Sequence, residues 1–252
     1  MIVGRGPVPR LPPPLDALAS EIIACNKCPR LRAYCTRVAR IKKREFRAEE
    51  YWGQPVPGFG DPAARVLIIG LAPAAHGANR TGRMFTGDSS GAWLYRALHK
   101  AGFANQPTAS SRHDGLKLNG VYISASARCA PPDNKPMPRE IANCRPYLER
   151  EIELLTDLSV VVCLGGVAFR NYLRILRDRG VDTRGREFGH GKVHRFDPIS
   201  RGGPPTSVGM TASAPPGLVA SYHPSRQNTN TGKLTESMFD AVFARVRSLL
   251  SP

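Results

Sequence analysis

Short apolar runs alternate along the chain with longer segments in which apolar residues recur at helical spacing. Four short runs, several of them rich in β-branched residues, are typical of strands buried in a parallel sheet: Arg65–Gly70, Val121–Ala125, Ser159–Leu164 and Leu218–Tyr222. Helical spacing predicts helices over Leu15–Ala24, Gly91–Ala101, Arg139–Leu155, Val167–Leu176 and Leu234–Leu250. This alternation predicts an α/β fold of three layers, in which a central four-stranded parallel sheet is flanked by helices.

The segments outside this pattern suggest one domain preceded by a short N-terminal segment. Residues 1–15 are Pro-rich, which predicts a poorly ordered N-terminal segment before a single domain over 16–252. Residues 180–216 are rich in Gly, Pro and Arg and are interpreted as a loop excursion, with a short hairpin near Lys192–Phe196. The Gly and Pro content of Tyr51–Pro62 favours a loop.

Charge points to a polyanionic partner. The 252 residues contain 36 Lys and Arg against 20 Asp and Glu, a formal net charge of +16. Each phosphate contact made by a basic residue releases a condensed counterion, so this excess favours nucleic acid. A protein that is basic without binding nucleic acid remains the alternative. The Arg residues are spread along the chain, with a dense stretch at Arg37–Arg47, which suits a folded basic face better than a tail.

The chain lacks the hydrophobic segments that would direct it to a membrane. No run approaches the ~18 apolar residues of a membrane span. The N-terminus has no apolar core of the kind found in signal peptides. We therefore expect an intracellular, cytoplasmic protein that associates with the nucleoid.

Three polar loops follow three of the predicted strands. They are Gly70–Ser89, Arg128–Pro138 and His223–Lys233. In open parallel sheets, ligands bind beyond the carboxyl ends of the strands. We therefore expect the three loops to converge on one crevice.

Each candidate side chain in these loops has a functional and a purely structural interpretation. Phe85 could stack on a planar base or pack in the core. Asp88 could be a catalytic carboxylate or the N-cap of the next helix. His223 could donate a hydrogen bond to an oxygen that becomes anionic, or be an ordinary residue at a strand end. Hydroxyls and amides after His223, typical of phosphate contacts, favour the functional interpretation of this loop.

Two long motifs resemble those of the uracil-DNA glycosylase superfamily. They are GLAPAAHGANRTGRMFTGD, which begins at Gly70, and HPSRQNTNTGKLT, which begins at His223. The chain is most similar to the fifth family, the broad-specificity branch that carries an iron–sulfur cluster, and the likeness extends from about Cys25 to Leu250. It implies a monomeric, monofunctional enzyme that flips uracil out of DNA and hydrolyses its N-glycosidic bond to initiate base excision repair.

The resemblance assigns roles to individual residues. His223 matches the residue that stabilises the departing base, Phe85 the aromatic that stacks on it, and Asp88 the carboxylate implicated in catalysis. Asn134 matches a polar residue that lines the same pocket and is included among the catalytic candidates. The DNA backbone is expected to be held by the residues after the histidine: Ser225, Arg226, Gln227, Asn228 and Thr229. Arg226 or Leu234 is expected to fill the gap left by the flipped base.

The substrate pocket implied by the resemblance is unusually apolar. Its base-binding loop comprises Gly70, Leu71, Ala72 and Ala74, and the small residues allow close approach of a ligand. Other families place a water-activating acid or amide in this loop, whereas Leu71 and Ala74 are apolar. A related iron–sulfur family has an Asn at the position of Ala125. Without that amide the site does not discriminate against bases that lack the matching hydrogen-bonding groups of uracil. We therefore expect hypoxanthine to be a second substrate.

The cysteines suggest a metal or cluster site. Cys25 and Cys28 form a C-x-x-C pair, and Cys129 and Cys144 lie far downstream. By ligand type, thiolates suit zinc and iron–sulfur clusters equally. The resemblance implies that these four hold a [4Fe–4S] cluster. We expect the cluster to have a structural role, because its ligands come from distant segments that are separate from the catalytic loops. Cys35 lies outside the pattern of the family. Cys163, the sixth cysteine, lies inside an apolar run and is predicted to be a core residue.

Two rival functions explain part of this evidence. A non-catalytic metal-cluster protein that binds nucleic acid accounts for the charge and the cysteines, but not for three polar loops at one sheet edge. An enzyme acting on free nucleotides is disfavoured by the absence of a P-loop pattern and by the large positive charge.

Overall fold

The computed structural model describes residues 13–197 and 214–251. Its sheet contains β1 (Phe59–Gly60), β2 (Val66–Gly70), β3 (Val121–Ala125), β4 (Val160–Leu164), β5 (Val193–His194) and β6 (Gly217–Ser221). The order across the sheet is β1-β3-β2-β4-β6-β5. The four central strands are parallel and lie where the apolar runs predict them, and every position of β2, β3 and β4 is buried. The predicted α/β class is therefore confirmed.

The sheet has six strands, because a short antiparallel strand borders each edge of the four predicted parallel strands. β1 pairs with β3, although its segment has the composition of a loop. β5 pairs with β6, so the segment near Lys192–Phe196 adds to the sheet and does not form a hairpin on itself. Two-residue strands are too short to show a periodicity in the sequence.

Eight helices are present in the described parts of the chain: α1 (Pro13–Ile23), α2 (Pro29–Ile41), α3 (Ala78–Thr81), α4 (Ser89–Lys100), α5 (Pro138–Leu154), α6 (Gly166–Asp178), α7 (Arg226–Asn230) and α8 (Glu236–Leu250). Helices were predicted at α1, α4, α5, α6 and α8, and they lie within about two residues of the expected bounds. α2 was not predicted, because its many basic residues mask a narrow apolar stripe. Only Leu31 and Cys35, one turn apart, are buried.

The helices cover both faces of the sheet and create two apolar cores. Ile68 and its neighbours on one face pack against α4 and α8. Leu67 and its neighbours on the other face pack against α5 and α6. Alternate side chains of the same strand thus enter different cores, which gives the predicted three layers.

Some predictions concern residues outside the described ranges. Of the predicted N-terminal segment 1–15, residues 1–12 lie outside them, whereas residues 13–15 belong to α1. The middle of the predicted excursion, residues 198–213, also lies outside. The extent of the single domain stays a prediction. No helix within residues 13–197 and 214–251 is long and apolar enough to cross a membrane.

Candidate active site and cysteine cluster

The carboxyl ends of the central strands bring the polar loops to one edge of the sheet. Gly70 lies opposite Ala125 in the register of β2 and β3. The pairing extends past the strand ends, because the N–H groups of Ser126 and Ala127 donate to the carbonyls of Gly70 and Leu71 at 2.9 and 3.0 Å. The loop after β2 is therefore fixed against the chain that leaves β3.

Phe85 and His223 face each other across this edge. Their ring centroids lie 5.9 Å apart and the rings are inclined by 28°, close to a stacked arrangement. Gly165, at the end of β4, lies behind His223. The first and third predicted loops therefore meet, as expected from the position of their strands in the sheet.

The position of Phe85 depends on Gly70 and on a strained backbone. A Cβ atom on Gly70 would lie 2.8 Å from the Phe85 ring, so a side chain at this position would collide with the ring. Phe85 has a φ angle of +54°, which is uncommon for a residue with a side chain. Strain of this kind persists only where the surroundings enforce it.

Asp88 is a helix N-cap, as its structural interpretation predicted, and this position does not exclude a catalytic role. It is the N-cap of α4, and Gly91 N–H donates to its Oδ1 at 2.9 Å. Its Oδ2 points at Gly77, where a Cβ atom would lie only 2.0 Å away. Burial raises the pKa of Asp88 above the ordinary carboxyl value, although backbone N–H groups and the nearby Arg226 act in the opposite direction.

Asp88 borders a cavity of about 540 Å³, and Phe46, Glu49, Arg80 and Ser89 are also among the residues lining it. Arg80 is buried and held firmly: it forms an ion pair with Glu49, and its guanidinium carbon lies 3.9 Å from the Phe46 ring centroid. This wall was not anticipated from the sequence. The only feature of the sequence that pointed to this wall of the cavity is that Arg80 lies within the motif that begins at Gly70.

The loop after His223 is tied to both His223 and Asp88. Asn228 Nδ2 donates to the His223 carbonyl at 2.9 Å. Arg226 Nε donates to the hydroxyl of Ser89, the residue next to Asp88, at 3.3 Å. The DNA-binding candidates Ser225–Thr229 span the N-cap and first turns of α7.

Leu234 does not fit its predicted role, whereas the surroundings of His223 are compatible with the predicted one. Leu234 is fully buried in the core under α8, so it is not available to fill a gap in DNA, whereas Arg226 is exposed. Desolvation lowers the pKa of His223 to about 4, so its imidazole is neutral at neutral pH. The structure thus favours a neutral hydrogen-bond donor over an imidazolium.

Asn134 is not joined to the other candidates. It lies in an exposed 3₁₀ turn, Pro132–Asn134, with a φ angle of +55°. In the described part of the chain, no hydrogen bond or ring contact links it to Phe85, Asp88 or His223.

The four predicted cysteine ligands come from three separate parts of the fold. Cys25 and Cys28 lie between α1 and α2, Cys129 follows β3, and Cys144 lies on α5. Burial raises the pKa of Cys28, and its neighbours Cys129 and Cys25 raise it further. Burial also raises the pKa of Cys144 to about 11, with Cys129 and Cys28 again nearby. The thiols are therefore close enough to interact with one another.

Hydrogen-bond donors surround these thiols. Asn143 Nδ2 donates to Cys28 Sγ at 3.4 Å, and the backbone N–H of Arg128 donates to Cys144. The Arg32 guanidinium contacts Cys129, and its buried Nη1 has no hydrogen-bond partner among the described residues. Thiolates with N–H donors and a spare guanidinium N–H fit an anionic iron–sulfur cluster.

Further observations bear on the cysteines. Across residues 13–197 and 214–251, no group of three or more His, Cys, Asp or Glu side chains is arranged to hold a single metal ion. Cys35, which lies outside the cysteine pattern of the family, is buried in the same apolar cluster as Cys28 and Cys129. Cys163 is fully buried on β4, as predicted for a core cysteine.

A buried ionic network lies between the cysteines and β3. Glu151 on α5 forms an ion pair with Arg128 and accepts a hydrogen bond from Ser124 Oγ at 2.6 Å. Both charged side chains are 1% exposed. No sequence pattern indicated this pair, because Arg128 and Glu151 lie on segments that meet only in the folded chain.

Comparison with known proteins identifies the class to which this fold and site belong. Residues 57–247 match the model of the uracil-DNA glycosylase superfamily. The chain is 46% identical to the type-5 uracil-DNA glycosylase of Thermus thermophilus over 234 residues, covering 93% of this chain and 97% of that protein. It is 46% identical to that of Mycobacterium tuberculosis (93% and 80% covered) and 41% to that of Pyrobaculum aerophilum (91% and 91%). The chain belongs to the type-5 family of this superfamily.

Proposed function

We propose that this chain is a monofunctional DNA glycosylase that flips uracil out of DNA and hydrolyses its N-glycosidic bond. Family membership supports the activity. The arrangement of Phe85, His223 and Asp88 at the carboxyl edge of the sheet is the observation that carries the mechanism. It combines a ring face for a base and a neutral donor for a developing anion, which face each other, with a carboxylate at the start of the helix that follows the Phe85 loop.

Phe85 and His223 act on the base. A base inside a duplex cannot be reached, so it is extruded into the pocket, where Phe85 stacks on it. Negative charge develops on the base as the glycosidic bond breaks. The neutral His223 donates a hydrogen bond to the oxygen that receives this charge. Its pKa of about 4 keeps the imidazole neutral before the bond breaks.

Asp88 acts on the sugar side. Its ionised carboxylate orients the attacking water or stabilises the cationic sugar, and both roles require the charged form. Gly91 N–H holds Oδ1 at 2.9 Å, which fixes the direction of the carboxylate. Asn134 is assigned to the pocket by the family resemblance alone, because its exposed turn makes no contact with the other three residues.

The loop at α7 binds the DNA backbone next to the flipped nucleotide. Backbone N–H groups, hydroxyls and amides at Ser225–Thr229 are suited to phosphate oxygens. Arg226 is exposed and also reaches Ser89, so it couples the DNA grip to the residue beside Asp88. Genomic DNA as the substrate places the protein at the nucleoid, and we expect it to act as a monomer.

The cysteines would hold a [4Fe–4S] cluster with a structural role. When bound, the cluster would cross-link the segment between α1 and α2 to the chain after β3 and to α5. Cys25, Cys28, Cys129 and Cys144 would supply the thiolates, and Arg32, which contacts Cys129, would donate to them. The raised pKa values of Cys28 and Cys144 mean that cluster binding must displace thiol protons.

The pocket is expected to accept other deaminated bases. Leu71 and Ala125 provide no polar group that would favour uracil alone, and the small side chains of Ala72 and Ala74 leave room for a larger base. Excision of hypoxanthine would distinguish a pocket of broad specificity from one that accepts uracil alone.

The experiment uses a labelled duplex with one uracil or one hypoxanthine, incubated with the protein and then treated with alkali. We expect a strand break only after alkali, because a monofunctional enzyme leaves an intact abasic strand. Asp88→Asn should reduce base release sharply while DNA binding stays nearly unchanged. Asp157→Asn, which removes an exposed carboxylate elsewhere, is the matched control.

Three results would contradict the proposal. Absence of an abasic site with either base would favour a non-catalytic nucleic-acid-binding protein. Wild-type turnover of Asp88→Asn would remove this residue from the mechanism. A colourless protein with stoichiometric zinc would exclude the iron–sulfur cluster, which should give a brown protein absorbing near ~400 nm.

A further inference from the structure

The end of α2 and the turn after it present a strongly basic surface. Six residues share it, and we call them the basic ridge: Arg37, Arg40, Lys42, Lys43, Arg44 and Arg47. The segment contains one acidic residue, Glu45. Five of the six basic side chains are exposed, and Lys42 is partly buried.

Most of this charge is not neutralised by the protein. Lys43 forms an ion pair with Glu45, but in the described residues no carboxylate pairs with Arg37, Arg40, Arg44 or Arg47. Ile41, in the middle of the ridge, is 65% exposed, the largest exposure among the bulky apolar side chains of the described chain. Basic charge that the protein itself does not neutralise attracts polyanions.

The ridge is rigidly connected to the cavity beside Asp88. Phe46 follows the ridge residue Arg44 by two positions and lines that cavity together with Glu49. Arg80 holds both, through its contact with the Phe46 ring and its ion pair with Glu49. The basic ridge therefore lies next to one wall of the cavity, and Ser89 with its partner Arg226 lies at another.

We propose that the basic ridge is a second DNA-binding surface, which holds backbone phosphates on the side of the cavity formed by Phe46 and Glu49. Arg37 and Arg40 lie three residues apart on α2 and share a face, so both can reach one strand. Two grips, the ridge and the α7 loop, hold a strand on both sides of the nucleotide to be flipped. The inference rests on the proposed glycosylase function, since it assumes that DNA enters this cavity.

The test compares two double variants that remove the same charge. Arg40→Gln with Arg44→Gln alters the ridge. Arg177→Gln with Arg245→Gln is the matched control, because these exposed residues lie near the ends of α6 and α8, at the opposite edge of the sheet. All four side chains lack ion pairs within the described ranges, so we expect the melting temperature and cluster absorbance to be unchanged.

Affinity for a uracil-free duplex is measured by fluorescence anisotropy between 50 and 200 mM salt, values chosen about the physiological range. Each lost phosphate contact lowers the slope of log K against log salt by about 0.9, so the ridge variant should lose about 1.8. Its uracil release at sub-saturating protein should fall in proportion to affinity. The control should keep the wild-type slope and rate.

Equal slopes for the two variants, or an equal loss in both, would overturn the basic ridge as a specific surface. Failure of the proposed function has a different signature. In that case the wild type releases no base at any concentration, whatever the slopes are. Wild-type activity combined with an unchanged slope in the ridge variant refutes only the ridge.

Discussion

A methyl group added at Gly77 tests whether the position of the Asp88 carboxylate controls catalysis. Gly77 precedes α3 and lies directly against Asp88. A Cβ atom there would lie 2.0 Å from Asp88 Oδ2 and 3.0 Å from Asp88 Cβ. Gly77→Ala therefore moves the carboxylate without removing it.

The size of the movement follows from these distances. Cβ atoms do not approach other heavy atoms to less than 3.0 Å, so Oδ2 must withdraw by about 1 Å. Rotation of the carboxylate would weaken its 2.9 Å hydrogen bond from Gly91 N–H. A misplacement of about 1 Å can cost about 100-fold in rate, or about 2.7 kcal/mol in the barrier. We expect a loss of that order in uracil release.

The assay is single-turnover release of uracil from a labelled duplex, with anisotropy for DNA binding and thermal melting for the fold. Gly217→Ala is the control, because a Cβ atom at Gly217 meets nothing closer than 3.9 Å. Asp88→Asn gives the rate expected when the charge itself is lost.

A wild-type rate for Gly77→Ala would refute the reasoning, since the carboxylate would then tolerate displacement. A rate loss matched by equal loss of DNA binding or by a large fall in melting temperature would also refute it. In that case the glycine would serve the fold and not the orientation of Asp88.

Two further predictions concern pH and stability. Asp88 must be ionised, and burial raises its pKa above 3.8, so the rate of base release should fall as the pH decreases to a value above the ordinary carboxyl range. His223 becomes protonated only near pH 4. A pH–rate profile whose acid limb lies at the unshifted carboxyl value would contradict this prediction. Glu151→Ala leaves Arg128 buried without its partner and should lower the free energy of unfolding by about 3–5 kcal/mol in denaturant titrations. Glu153→Ala, which breaks a surface ion pair, should lower the free energy of unfolding by about 0–1 kcal/mol. Equal losses in the two variants would show that the buried ion pair contributes no more to stability than the surface pair.

The cysteine site could be predicted only in part from the sequence. The C-x-x-C pair and two distant cysteines indicated a thiolate site, but the spacing alone did not choose the metal. The fold added Asn143, Arg32 and the backbone of Arg128 as donors around the thiols. It also placed Cys35 beside Cys129, a proximity that no sequence pattern implied.

The pattern of apolar and polar residues was sufficient to predict the central strands, five of the helices and the loops that carry the candidate residues. Strands buried on both faces must be apolar at every position, so β2 and β4 are visible as continuous runs. Parallel strands bring their carboxyl ends to one edge, which is why Phe85 and His223 could be expected to meet.

The tertiary structure alone decided the features that depend on distant segments. The edge strands β1 and β5 exist because a neighbour offers unpaired backbone groups, and two residues carry no periodic signal of their own. The contact of Gly77 with Asp88 and the pairing of Arg128 with Glu151 are set by packing between elements. Such contacts depend on distances of a few ångströms across the fold, and a linear pattern of apolar and polar residues does not encode them.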